Sequence, residues 1–119
     1  MAQVVALVDD LFFQAKLLET AKHVGVELRT YATSDALMTE VGKEKPKLVV
    51  VDLNARQDPI GAIERLSANG ETIPTLCFLS HVQTGLAQRA RQAGCHDVMP
   101  RSKFSQELAT ILAQVKSQS

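Results

Sequence analysis

The sequence predicts an open α/β sandwich of three layers, five parallel strands held between two layers of helices. Three observations carry this reading. Short apolar runs without polar alternation recur along the chain, as parallel strands covered on both faces require. Longer amphipathic stretches of helical period separate them. Glycines and an Asp-Pro pair punctuate those stretches where helices should stop and start.

The strands are read in order. "VVALV" (4–8, β1), "KLVVVDL" (47–53, β3) and "TLCFLS" (75–80, β4) are rich in Val and Leu and form the centre of the sheet. "VELRTYA" (26–32, β2) alternates more, and "HDVMP" (96–100, β5) is short and closed by proline, so both suit edges. The helices fill the gaps. Phe12, Phe13, Lys16, Leu17 and Thr20 share a helical period, as do Ala36, Leu37 and Val41, with Gly25 and Gly42 expected as the two C-caps. Asp58-Pro59 marks the start of a third helix with the apolar stripe Ile60, Ile63 and Leu66, which Asn69-Gly70 ends. Leu86, Ala90 and Ala93 build a fourth ending at Gly94, and Leu108, Ile111, Leu112 and Val115 a fifth running toward a frayed "KSQS". The order is (βα) five times. With right-handed crossovers and the three most apolar runs central, this is a flavodoxin-like sheet of strand order 2-1-3-4-5, in a single domain over residues 1–119.

Composition narrows the function. Lys plus Arg and Asp plus Glu each number 13, so no global field attracts nucleic acid or an anionic membrane. Aromatic residues are 4% of the chain, too few for a base-stacking platform. Cys77 and Cys95 lack the second pair that a zinc site or a disulfide framework needs and read as buried thiols. Asp9 and Asp10 interrupt the N-terminus before a signal-length apolar segment forms, and no run approaches the ~20 apolar residues of a membrane span. A cytoplasmic location is expected.

In such a sheet, ligands bind beyond the carboxyl ends of the strands. Four strand ends deliver polar groups there: Asp9 and Asp10 after β1, Asp52 after β3, Ser80 after β4 and Arg101 after β5. Three converging carboxylates repel one another unless a cation sits among them, and a hard divalent cation such as Mg²⁺ answers with oxygen ligands. The hydroxyl and the cation across the crevice then complete a phosphate pocket, and the implied chemistry is phosphoryl transfer. Plainer roles exist: Asp9 and Asp10 as helix caps, Ser80 as a turn cap. Asp52 has no such role, because an unpaired carboxylate ending an apolar central strand is costly.

Over nearly its whole length the chain resembles the receiver domain of bacterial two-component response regulators. The matching residues are "VDD" (8–10), "VVVDLN" (49–54), "LS" (79–80) and "AGCHDVMPRSKF" (93–104). The resemblance implies a phosphoacceptor signalling domain rather than an enzyme, with Asp52 taking a phosphoryl group from a sensor histidine kinase or phosphotransfer protein. It assigns Mg²⁺ to Asp10, Asp52 and the backbone carbonyl of Asn54, with Asp9 acting through a metal-bound water, and gives Ser80 a hydrogen bond to the phosphoryl group. Output then passes to a downstream protein through the face made by the fourth helix, β5 and the fifth helix, a face that also suits a homodimer. With the chain stopping at the fifth helix, the expectation is that it contacts no nucleic acid directly and either acts by protein contact or is a piece of a longer polypeptide.

Three residues depart from the family pattern. Arg101 stands where a lysine is usual, with Lys103 as the alternative donor; arginine is a longer planar fork and cannot fill the same space. His81 replaces a small residue after Ser80, where it narrows the entrance or adds a phosphate donor. Val98 replaces the aromatic residue that swings in signalling and cannot make that rotamer change. The intact acids favour a phosphorylation-controlled receiver; the departures favour a pseudo-receiver that docks partners without phosphorylation. Two other chemistries fail. A haloacid-dehalogenase-type phosphatase needs an aspartate where Asn54 stands, and "DDLFFQ" would repel a flavin phosphate.

Overall fold

The computed structural model describes residues 2–68, 73–80 and 84–117. Its elements are β1 (Val4–Leu7), α1 (Leu11–Val24), β2 (Leu28–Tyr31), α2 (Ser34–Glu44), β3 (Leu48–Asp52), α3 (Pro59–Ala68), β4 (Thr75–Leu79), α4 (Thr84–Ala93), β5 (Asp97–Pro100) and α5 (Arg101–Ser117). The five strands form one parallel sheet in the order β2-β1-β3-β4-β5. The flavodoxin-like order expected from the apolar runs is the one observed.

The side-chain period of a strand splits the core in two. Val4, Ala6 and Val8, with Val50 and Phe78, face α1 and α5, where they meet Phe13, Leu17, Phe104, Leu108 and Leu112. Val5, Leu7, Val49, Val51, Cys77 and Leu79 face the other way, onto Leu37, Val41, Ile63 and Leu66 of α2 and α3. Every residue of β1, β3 and β4 is buried, which is why those runs are continuously apolar. The same parity governs Asp52. Two residues past Val50, it emerges on the α1/α5 side of the sheet, opposite Phe78 in register.

Helix ends follow from local chemistry, with one correction. Asp10 caps α1 and accepts hydrogen bonds from the N–H groups of Phe12 and Phe13; Gly25, at φ 86°, closes it with its N–H on the Ala21 carbonyl. Gly42 is not the C-cap of α2 that its residue type suggests: the helix runs through it to Glu44, and Lys45 takes the left-handed cap at φ 47°. Pro46 explains this. It disfavours the helical conformation in the residue before it, so the stop is set by the proline rather than by the glycine. Asn69 and Gly70, and the last two residues of "KSQS", lie outside the described residues.

Gly42 sits in a helix, and a Cβ added there would meet nothing within 4 Å, so Gly42→Ala should stabilise the fold by about 0.5–1 kcal/mol. Gly94, at φ 119°, is the opposite case. A Cβ there would collide with Ser67 Oγ, and Gly94→Ala should cost about 1–3 kcal/mol. Urea midpoints of the two variants should therefore move in opposite directions.

Candidate functional site

The parallel sheet brings the ends of β1, β3, β4 and β5 to one rim. Asp52, the last residue of β3, is only 2% exposed. Its Oδ1 accepts the backbone N–H of Asn54 at 2.9 Å, and its Oδ2 accepts Nη2 of Arg101 at 3.3 Å. Burial pushes the Asp52 carboxyl above the usual carboxylate range. The Asn54 N–H and the Arg101 charge pull it back, while Asp9 and Asp10 push it up again.

Asp10 has two tasks. Its Oδ1 caps α1 through the N–H groups of Phe12 and Phe13 at 3.0 and 3.2 Å, and its Oδ2 accepts Nη1 of Arg101 at 3.1 Å. The Phe13 N–H and then the guanidinium hold its carboxyl below the ordinary value. The capping role and the rim role, alternatives on sequence grounds, are thus combined in one side chain. Asp9 turns toward the β3–α3 loop, where its Oδ2 accepts the Arg56 N–H at 2.9 Å. Asn54 faces β4: its side-chain oxygen accepts the Ser80 N–H at 2.7 Å, tying the two loops together. Ser80 itself is exposed at the rim.

Arg101 opens α5 directly after Pro100, so the strand runs into the helix without a linker. Its guanidinium spans Asp10 and Asp52 and lies 4.6 Å from the ring centroid of Phe13 and 5.6 Å from that of Phe78. Its Nε is buried and has no hydrogen-bond partner among the described residues. Lys103 points elsewhere, with Nζ 4.0 Å from Glu107 on the exposed side of α5. Of the two candidate cations, Arg101 is the one at the acids. Val98 lies on the opposite face of the sheet, against the α2–α4 core, and His81 falls outside the described residues.

The donor chemistry of Asp9, Asp10, Asp52 and the Asn54 carbonyl, all hard oxygens, fits Mg²⁺. The side chains as arranged do not gather around an ion: among the described residues no group of three or more His, Cys, Asp or Glu is positioned to hold one. Arg101 occupies the space between the two central acids instead. The aromatic floor beneath it, Phe13 and Phe78, is not legible in the sequence as part of the site, because both read simply as core residues. The adjacent pair Phe12-Phe13 holds a partial signal. Neighbouring helix residues point about 100° apart, so only one can reach the sheet; Phe13 does, and Phe12 is 91% exposed beside Asp10.

No protein-family model matches the sequence, and no curated protein matches it. Solved structures do. The receiver domain of NtrX from Brucella abortus superposes with a TM-score of 0.80 at 17% identity, covering 98% of this chain and 99% of that one. The receiver domain of the Francisella response regulator 1452 gives 0.83 at 13% identity, covering 99% and 98%. The chemotaxis response regulator CheY4 of Vibrio cholerae gives 0.80 at 18% identity, covering 97% and 98%. With the strand order and the rim geometry, these likenesses over nearly the whole chain show that it has the fold of response-regulator receiver domains.

Proposed function

We propose that the protein is a signalling receiver in which Asp52 accepts a phosphoryl group from a sensor histidine kinase or phosphotransfer protein. The observation that carries this is the placement of Asp52: a buried carboxylate at the end of the central strand, paired with the Arg101 guanidinium that also binds Asp10. Oδ1 accepts the Asn54 N–H and Oδ2 the Arg101 guanidinium, so Oδ2 becomes the nucleophile once the guanidinium leaves it. Oδ2 forms the new bond to phosphorus as the P–N bond to the donor imidazole breaks; the imidazole nitrogen keeps the bonding pair and takes up a proton. Asp10, Asp52 and the Asn54 carbonyl would hold Mg²⁺, with Asp9 acting through water, and the bound ion would supply charge neutralisation for nucleophile and phosphate. In this reading the hydroxyl of Ser80, an exposed rim residue, donates to a phosphoryl oxygen.

Docking has a surface to use. Leu11 and Phe12 on the first turn of α1 are 76% and 91% exposed, directly beside Asp10, and suit an apolar patch on a phosphodonor protein. Output is assigned to protein contacts at the α4–β5–α5 face. No described helix is long and apolar enough to cross a membrane.

A second reading is a docking module that works without phosphorylation, favoured by the near-complete burial of Asp52 under Arg101. Intact-mass measurement after incubation with acetyl phosphate and Mg²⁺ separates the two. A phosphoryl adduct on the wild type that is absent in Asp52→Asn is expected; an unmodified wild type would leave the docking reading standing.

A further inference from the structure

We infer that Arg101 is the built-in counter-cation of the acidic rim, and that its guanidinium and a divalent cation exclude one another at Asp10 and Asp52. The inference deepens the phosphoacceptor reading and rests on it for its consequence: Arg101 must swing away before Asp52 Oδ2 is open to a donor.

The exclusion follows from the oxygens available. Each of the two central carboxylates has one oxygen committed to backbone, Asp10 Oδ1 to the N–H groups of Phe12 and Phe13 and Asp52 Oδ1 to that of Asn54. One oxygen of each remains to face the crevice. Arg101 takes both, Nη1 on Asp10 Oδ2 and Nη2 on Asp52 Oδ2. A magnesium ion binds carboxylate oxygens at about 2.0–2.1 Å in near-octahedral order, so it needs the same lone pairs and the same space. Two cations a few ångströms apart between the same acids repel strongly. A guanidinium cannot lose its proton to relieve that repulsion, so displacement is the remaining course.

The seat of Arg101 is built for holding and also for release. The fork spans two carboxylates, which a lysine's single ammonium does less well, and its flat face rests on the Phe13 ring at 4.6 Å. Against this, Nε is buried without a partner among the described residues, and the side chain keeps 29% of its surface exposed. The orphan N–H costs free energy in the docked position, and the open side offers a path to water. With the arm docked, Asp52 is shielded; with it displaced, the rim acquires the free carboxylate faces that metal and phosphate need.

The test is a MgCl₂ titration of the wild type and Arg101→Gln, followed by the amide resonances of Phe12, Phe13 and Asn54 and, in the wild type, by the Arg101 Nε–H resonance. Arg101→Gln should bind Mg²⁺ about tenfold tighter or more, within the range of ordinary coupling between sites, and saturation of the wild type should shift the Arg101 resonance. Arg101→Lys should fall between the two and serves as the comparison if the glutamine variant does not fold. Equal dissociation constants across the three proteins, or an Arg101 resonance unmoved at saturation, would overturn the inference, as would absence of Mg²⁺ binding in Arg101→Gln. Acetyl phosphate is then added to each. Competition for Mg²⁺ with no adduct on Asp52 would sustain the exclusion and sink the phosphoacceptor reading; an adduct with metal affinity indifferent to residue 101 would do the reverse.

Discussion

Phe104→Ala should cost about 3–5 kcal/mol of folding stability, among the largest effects expected of a single substitution in this fold. Phe104 is fully buried in the first turn of α5 and stacks on Phe78, with ring centroids 4.6 Å apart and planes at 7°. Phe13 completes the cluster at 4.8 Å from Phe78 and 6.0 Å from Phe104. Removing one ring from such a cluster leaves a cavity that rigid strands on one side and a helix on the other cannot close. Against a total stability of about 5–15 kcal/mol for a domain of this size, the urea midpoint should fall by a large fraction. The effect should reach the rim as well. Arg101 stands three residues before Phe104, on the same face of α5, and lies over the Phe13 and Phe78 rings. A variant that kept wild-type stability would show that the aromatic cluster is not what seats α5 on the sheet.

Arg101→Ala should destabilise the fold by about 1–3 kcal/mol at neutral pH, less than the 3–5 expected for breaking a fully buried pair because Arg101 and Asp10 are partly solvated. The loss comes from what stays behind: Asp52 is left buried, ionised and next to Asp9 and Asp10 without a counter-cation. The sign of the pH dependence follows from linkage. Burial raises the folded pKa of Asp52 above its ordinary 3.8, so the folded state holds this proton more readily than the unfolded chain does. Its contribution therefore favours folding at low pH and is lost as pH rises through that raised value. Without Arg101 the raise is larger and the loss greater. Asp10 runs the other way: its folded pKa lies below 3.8, so its stabilisation is present above that value and disappears as pH falls through the lower one. Removing Arg101 forfeits part of that stabilisation too. Both effects make the deficit of Arg101→Ala largest at neutral pH and smaller under acid. Urea unfolding of both proteins near pH 7 and pH 4 checks this. Adding Asp52→Asn to Arg101→Ala should recover much of the neutral-pH loss, because it removes the stranded charge; a double variant no more stable than the single one would place the cost in lost packing over Phe13 instead.

Much of this architecture is legible in the sequence because its signals are local. A strand covered on both faces must be apolar at nearly every position, and β1, β3 and β4 are. Helix ends are legible where a glycine adopts positive φ, as Gly25 and Gly94 do. Gly42 misleads, because Pro46, acting through the backbone of Lys45, governs where α2 stops. The rim acids are legible for a related reason: strand-end position follows from the apolar runs, and a parallel sheet puts all carboxyl ends on one edge.

What the chain determined by itself was therefore a set of elements, their order and the identity of the polar groups at one rim. What only the tertiary structure decided was how those groups divide their hydrogen bonds. Asp10, Asp52 and Arg101 lie on three elements far apart in sequence, and whether a cation's partner is one carboxylate or two depends on small differences in how α1, β3 and α5 pack. Periodicity carries no such information. The aromatic floor illustrates the point: Phe13 and Phe78 are core residues by every local sign, and they become part of the site only because α5 begins immediately after β5 and lays a guanidinium over them.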